Sequence, residues 1–153
     1  MSDNSVSVLS SKGLTREFGS GKKLVKAVND VAFDFREGEI VSVVGESGSG
    51  KTTLMLMLMG LLNQTHGDIL YRGQPIHVRK KREMRAYWQN VQAIFQDPFS
   101  SFNQFFRISK IFEDCLRFKG VKLSKEDRIK EFERACSFVN LKYSELENKY
   151  PFE

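Results

Sequence analysis

The sequence predicts an α/β fold in which a glycine-rich loop joins a buried strand to a buried helix. Residues 40–44 (IVSVV) are β-branched and uncharged, as expected of a central strand that is buried on both faces of a parallel sheet. Residues 52–62 consist largely of Leu and Met, which are strong helix formers, and they are apolar on every side. The sequence between these two segments is the loop.

That loop, residues 45–52, reads GESGSGKT and matches the phosphate-binding P-loop pattern G-x-x-x-x-G-K-[ST] in full. Its glycines let backbone N–H groups turn inward around phosphates, and the following helix directs its positive end at the same anion. In this pattern the ammonium of Lys51 reaches the β- and γ-phosphates, and the hydroxyl of Thr52 binds Mg²⁺. A P-loop alone leaves kinases, GTPases, motor ATPases and transporters open.

Further elements follow from local patterns along the chain. Strands are predicted at residues 6–18 (with a turn at 10–13), 25–35, 67–73 and 91–95, and a tight turn at 36–39. Helices are predicted at residues 78–90, 108–119 and 124–139. The last helix has Ser124 and Asp127 as an N-cap pair. Its predicted buried face comprises Ile129, Phe132, Ala135, Cys136 and Val139.

Composition limits the class of protein. A chain of 153 residues suits one domain, and no apolar stretch approaches the roughly 20 residues of a membrane span. The N-terminus has no pattern of a secretory signal.

The net charge of +5 is concentrated in residues 77–153, above all in Arg79, Lys80, Lys81, Arg82 and Arg85. Nucleic acid or an anionic membrane could bind such a run, but a solvated helix face is favoured. Cys115 and Cys136 are interpreted as free buried thiols in a reducing cytosol.

Three stretches together resemble the ATP-binding subunits of ABC transporters, in the oligopeptide, dipeptide and nickel import group. They are residues 43–53, in which Glu46-Ser47 is typical of the group, residues 94–103 (IFQDPFSSFN), which resemble its Q-loop, and residues 27–33 ahead of Gly38-Glu39. The resemblance spans residues 6–153. It implies an α/β P-loop NTPase of the ABC ATPase type, truncated, with the N-terminal β-subdomain and P-loop in residues 1–95. Residues 96–153 would hold the Q-loop and the incomplete beginning of the α-helical subdomain.

The resemblance also assigns roles in a site for ATP and Mg²⁺. The cofactor-binding residues would be Gly45, Glu46, Ser47, Gly48, Ser49, Gly50, Lys51, Thr52, Thr53 and Phe18. Lys51 and Gln96 would be catalytic, and Thr52 and Gln96 would contact the metal. Gln96 would also contact the attacking water, since a neutral amide can both accept from water and offer its oxygen to a metal; the alternative is a solvated cap. Phe18 would stack on adenine, and the alternative is an ordinary core phenylalanine.

The function implied by the resemblance is ATP binding and, in a complete dimer, hydrolysis that drives uptake of peptides or a similar solute, with nickel as the alternative. The implied partners are transmembrane permease subunits, a second ATP-binding subunit in a homodimer or heterodimer, and indirectly a substrate-binding protein. The implied location is cytoplasmic, on the inner face of the cell membrane. No nucleic acid partner is expected. The alternatives are a nucleotide-binding fragment without catalysis and an ABC-type protein acting on nucleic acid.

Two departures from the family pattern stand out. Gln104 follows Asn103, where family members usually have proline, so the local loop shape is open to question. The sequence ends at Glu153, where relatives continue into the signature motif. The signature, the Walker B aspartate, the catalytic glutamate and the switch histidine are therefore not in these residues. We expect the 153 residues alone to bind nucleotide weakly and not to hydrolyse it.

Overall fold

The chain folds into two units, Met1–Gln92 and Ala93–Glu153, which are described one at a time. The structure is a computed structural model, and it describes residues 6–76, 80–97 and 99–153. Within these ranges, no helix is long and apolar enough to cross a membrane. The prediction that the domains divide after residue 95 stays a prediction.

The first unit is built on a four-stranded antiparallel sheet. Its strands are β1 (Ser7–Phe18), β2 (Val25–Arg36), β3 (His66–Tyr71) and β4 (Gln74–Pro75), in the order β2-β1-β3-β4. The predicted strands at 25–35 and 67–73 are confirmed. The predicted turn at 10–13 is wrong, because β1 continues through it. Gly13, with φ +66°, takes up the irregularity there, where the pairing with β2 shifts between Ser11 and Leu14.

The described part of the first unit also contains α1 (Lys51–Leu58), α2 (Lys81–Trp88) and a short 3₁₀ helix at Gly21–Lys23. The core between α1 and the sheet consists of Leu14, Val28, Met57, Leu58 and Ile69. The helix predicted at 52–62 ends early, because the chain turns away at Gly60, which has φ +65°. Its predicted burial on every side is also wrong, since Met55 and Leu61 are exposed. The predicted start of α2, Val78 and Arg79, lies outside the described residues.

The two predicted central strands, residues 40–44 and 91–95, are wrong for this structure. Neither segment is a strand, and the side chains of Ile40, Val44 and Ile94 are 98%, 88% and 100% exposed. A strand persists only where a neighbour completes its hydrogen-bond ladder. Among the described residues no strand pairs with either segment. The two segments therefore have the composition of buried strands without the neighbouring strands that would bury them among the described residues.

The second unit is helical, with α3 (Ile108–Lys119), α4 (Lys125–Ser137) and α5 (Tyr143–Leu146). The prediction of α3 is confirmed. So is the N-cap of α4, since Ser124 Oγ accepts from the N–H of Asp127 at 3.1 Å. The core is an aromatic cluster in which the Phe132 and Tyr143 ring centroids lie 5.1 Å apart, with Cys136 beside them.

Part of the buried face predicted for α4 is wrong. Ile129 and Val139 are exposed, because Tyr143 of the unpredicted α5 covers the helix over Phe132 and Cys136 instead. Both cysteines are free, as expected. Only Cys136 is buried, and burial raises the pKa of its thiol. Cys115 is exposed, against the prediction, since it lies on the outer side of α3.

Candidate phosphate-binding site

The glycine-rich loop is fixed to the sheet through Gly50. This residue has φ +91° and serves as the N-cap of α1. A Cβ atom there would lie 2.1 Å from the carbonyl oxygen of Ala27 in β2, so only glycine allows this approach. Gly48 also has positive φ, +82°, and the N–H of Ser49 donates to the Glu46 carbonyl at 3.2 Å. The sequence thus forms a tight turn that leads directly into the helix.

The ammonium of Lys51 lies inside this turn. Its Nζ donates to the carbonyl oxygens of Gly45 at 2.8 Å and Glu46 at 2.6 Å, and approaches Ser49 Oγ at 3.3 Å. An ammonium has three donors and no acceptor, so the loop itself occupies its hydrogen-bonding capacity. An anion that enters the loop would offer the same donors stronger, charged acceptors.

The N-terminus of α1 has the chemistry of an anion site. Gly50 provides no side-chain cap, and the first N–H groups of a helix have no partner within the helix. The positive end of the helix dipole adds to the Lys51 charge. In the first turn Thr52 is exposed, and a hydroxyl oxygen is a ligand that Mg²⁺ accepts. Thr53 beside it is half-buried. These residues fit a phosphate with its Mg²⁺. The remaining predicted loop residue, Ser47, is exposed.

Phe18 lies at the end of β1 and is not part of the core. Its side chain is 41% exposed, and the Arg16 guanidinium carbon lies 4.5 Å from the ring centroid. Phe18 pairs with Val25 at the start of β2. Ala27, the residue that Gly50 packs against, is two positions further along the same strand. One strand therefore holds both Phe18 and the start of α1.

Gln96 belongs to the second unit, in an exposed segment before a short turn. Pro98 of the predicted Q-loop lies outside the described residues. Asp97 Oδ1 accepts from the N–H of Phe99 at 3.0 Å. Gln104, the departure from the family pattern, donates its side-chain amide to the Phe99 carbonyl at 3.1 Å. The glutamine thus closes the loop through a side-chain hydrogen bond that proline could not make.

Sequence reasoning missed how α2 contacts α1. The Tyr87 hydroxyl donates to the carbonyl oxygen of Leu58, the last residue of α1, and the Trp88 indole N–H donates to that of Met59, its C-cap. The available signal was the adjacent Tyr-Trp pair that follows the basic run. The described part of that run is solvated, with Lys80 paired to Glu83 at 2.9 Å, as favoured. Arg79 lies outside the described residues.

The sequence profile of the ABC transporter family matches residues 28–151. The chain belongs to this family. A Brucella ovis protein named as a putative peptide import ATP-binding protein is 34% identical over 95% of this ABC transporter chain and 45% of its own length. The oligopeptide transport ATP-binding protein OppF of Bacillus subtilis is 33% identical over 95% of this chain and 48% of its own. The chain thus spans about half the length of the curated relatives it matches.

Solved structures show the same fold. A dimeric ATP-binding cassette in a post-hydrolysis state, bound to ADP and Pi, matches this ABC transporter chain with a TM-score of 0.79 at 23% identity. The match covers 94% of this chain and 62% of that one. The predicted ABC ATPase fold is confirmed, as is the resemblance to the peptide-import group.

Proposed function

We propose that the chain provides the ATP-binding part of an ABC importer subunit and binds MgATP at residues 45–53. The observation that supports this most directly is the position of the Lys51 ammonium, within the loop at the uncapped start of α1. A positive charge, unpaired N–H groups and a helix dipole at one point favour a polyanion over a neutral ligand.

Each residue then has a distinct task. Lys51 and the loop N–H groups bind the β- and γ-phosphates, and Thr52 holds the metal. A Mg²⁺ ion held there would supply charge that neutralises the phosphate oxygens. Phe18 stacks on the base, and its exposure of 41% suits a ring that receives a ligand better than one that fills a core. Gln96 orients the attacking water through its side-chain amide.

For the whole protein we propose ATP hydrolysis in a dimer of ATP-binding subunits on the cytoplasmic face of the membrane. Transmembrane permease subunits would couple that hydrolysis to uptake of a solute. The names of the relatives support peptides as the solute class. Catalysis of this kind is almost entirely positioning and electrostatic stabilisation of a phosphoryl group, and the loop described above supplies both for the nucleotide.

The test is titration of the chain with MgATP by calorimetry. Lys51→Ala should raise the Kd by at least about tenfold, because the loop N–H groups alone do not neutralise the phosphate charge. Lys12→Ala is the matched control, since it removes one exposed charge from β1 of the same unit and should leave the Kd unchanged. Equal affinity in the parent and the Lys51→Ala variant would refute the proposed site.

A further inference from the structure

Arg16 makes an unusual set of contacts beside the proposed base site. Its guanidinium lies over the Phe18 ring, 4.5 Å from the centroid. Its Nη1 donates to the carbonyl oxygen of Asn63 at 3.0 Å. Its Nε is buried and has no hydrogen-bond partner among the described residues. One side chain therefore connects the aromatic ring to the segment that follows α1.

That segment is itself bonded to the end of β1. The N–H of Glu17 donates to Thr65 Oγ1 at 3.0 Å, and the N–H of Thr65 donates to the Thr15 carbonyl at 2.8 Å. These two bonds fix the backbone of β1 relative to the chain that leaves the P-loop helix. Neither bond involves the ring of Phe18. Arg16 is the side chain that extends the connection to the ring.

The contact between Arg16 and Phe18 has a clear physical basis. A planar guanidinium stacks on an aromatic face and is attracted by the negative charge of that face. The attraction strengthens when the cation loses water, as the buried Nε has done. A guanidinium on one face holds the ring by that face and leaves the opposite face for a second planar group.

We propose that Arg16 is a positioning residue for the nucleotide base, which holds the Phe18 ring so that the base stacks on the ring's other face. The inference rests on the proposed function, in which Phe18 receives the base. Arg16 acts through Phe18. Its substitution should therefore change the Kd only of ligands that carry a base, and only while the Phe18 ring is present.

The experiment is a double-mutant cycle in the full chain, with two ligands. The Kd of MgATP and of inorganic tripolyphosphate is measured for the parent, Arg16→Gln, Phe18→Ala and the double variant. Arg16→Gln should raise the Kd for MgATP about two- to fivefold. It should leave the Kd for tripolyphosphate unchanged, since that ligand has no base. In the Phe18→Ala background, Arg16→Gln should have no further effect on MgATP.

Two further variants separate charge and folding from positioning. Lys26→Gln removes a neighbouring positive charge, one that pairs with Glu17 at 3.4 Å, and should leave the Kd for MgATP close to that of the parent. Arg16→Lys keeps the charge without the planar group and should give an intermediate Kd. If Arg16→Gln does not fold, as judged by circular dichroism, Arg16→Lys takes its place in the cycle.

Three results would overturn the inference. An equal effect on both ligands would make Arg16 a general attractor of phosphate. If Arg16→Gln changed the Kd for MgATP equally with and without the Phe18 ring, Arg16 would act independently of that ring. Tighter binding of MgATP by Arg16→Gln would mean that the guanidinium occupies the face that the base uses. Failure of the proposed function is distinct, because then neither ligand would bind in a manner that depends on Lys51.

Discussion

The hydroxyl of Tyr87 donates a hydrogen bond of 2.5 Å to the carbonyl oxygen of Leu58. Trp88 Nε1 donates to the next carbonyl, that of Met59, at 2.7 Å. The last carbonyls of a helix have no partner within it, so two side chains of α2 satisfy groups that α1 cannot satisfy itself. The helix whose first turn forms the candidate phosphate site is thereby fixed at its other end.

Tyr87→Phe should lower the free energy of unfolding by about 1–3 kcal/mol, because it leaves a buried carbonyl without a donor while keeping the ring. Urea denaturation measures this. Tyr71→Phe is the matched control, since the Tyr71 ring packs edge-on against Tyr87 with centroids 5.4 Å apart and its substitution keeps that contact. The hydrogen bond contributes nothing if both variants unfold at the same urea concentration.

Alkaline pH should weaken the same contact. Burial, and then the nearby Tyr71, raises the pKa of Tyr87 to about 12, above its value of about 10 in an unfolded chain. The unfolded state therefore releases the proton first. The stabilisation is complete below pH 10 and is lost as the pH rises from about 10 to 12. Between pH 9 and pH 11 the urea midpoint of the parent should therefore decrease more than that of Tyr87→Phe. Equal decreases in the two proteins would show that the Tyr87 hydroxyl is not the group that titrates.

The approach of the loop to β2 predicts a large difference between two glycine substitutions. Gly38→Ala, at φ +82° with open space around it, should cost only the left-handed backbone strain of about 1–2 kcal/mol. Gly50→Ala has similar strain at φ +91° and also brings Cβ to 2.1 Å from the Ala27 carbonyl. It should cost about 1–3 kcal/mol more and weaken MgATP binding. Equal losses of stability would show that the loop does not pack on β2.

The role of Gln96 is tested in the assembled full-length transporter. Gln96→Ala should keep the affinity for MgATP and lose most transport-linked hydrolysis, because in the proposed role the amide orients water and does not bind the nucleotide. Gln92→Ala, four residues earlier, is exposed as well and is the matched control. A large loss of ATP affinity with unchanged turnover per bound ATP would reverse this assignment.

More of the candidate site than of the sheet could be predicted from the sequence. The candidate phosphate-binding loop is specified by its own residues, since Gly48 and Gly50 take positive φ and Lys51 donates to carbonyls only five and six residues away. Local rules also gave the Ser124 cap and the whole of α3. Such features need no distant partner, so a single sequence predicts them.

Features that depend on distant contacts were not predictable. The segments at 40–44 and 91–95 have the composition of buried strands, but composition does not say which strand lies beside them. The contact of Tyr87 with Leu58 spans 29 positions and leaves no periodic pattern. The same is true of Arg16, whose carbonyl partner is 47 residues away. In each case the deciding neighbour is set by the fold and not by the adjacent sequence.

The bonds that Lys51 makes within its own loop have a consequence for recognition. Two loop carbonyls and the Ser49 hydroxyl already hold the ammonium, so a nucleotide bound as proposed would not meet a bare cation. It would displace these three internal acceptors and release them to water or to new donors. Binding as proposed is thus an exchange of hydrogen-bond partners around the Lys51 ammonium. Discrimination at this point depends on how much more strongly a ligand's oxygens accept than a peptide carbonyl does, which favours a polyphosphate over a neutral ligand.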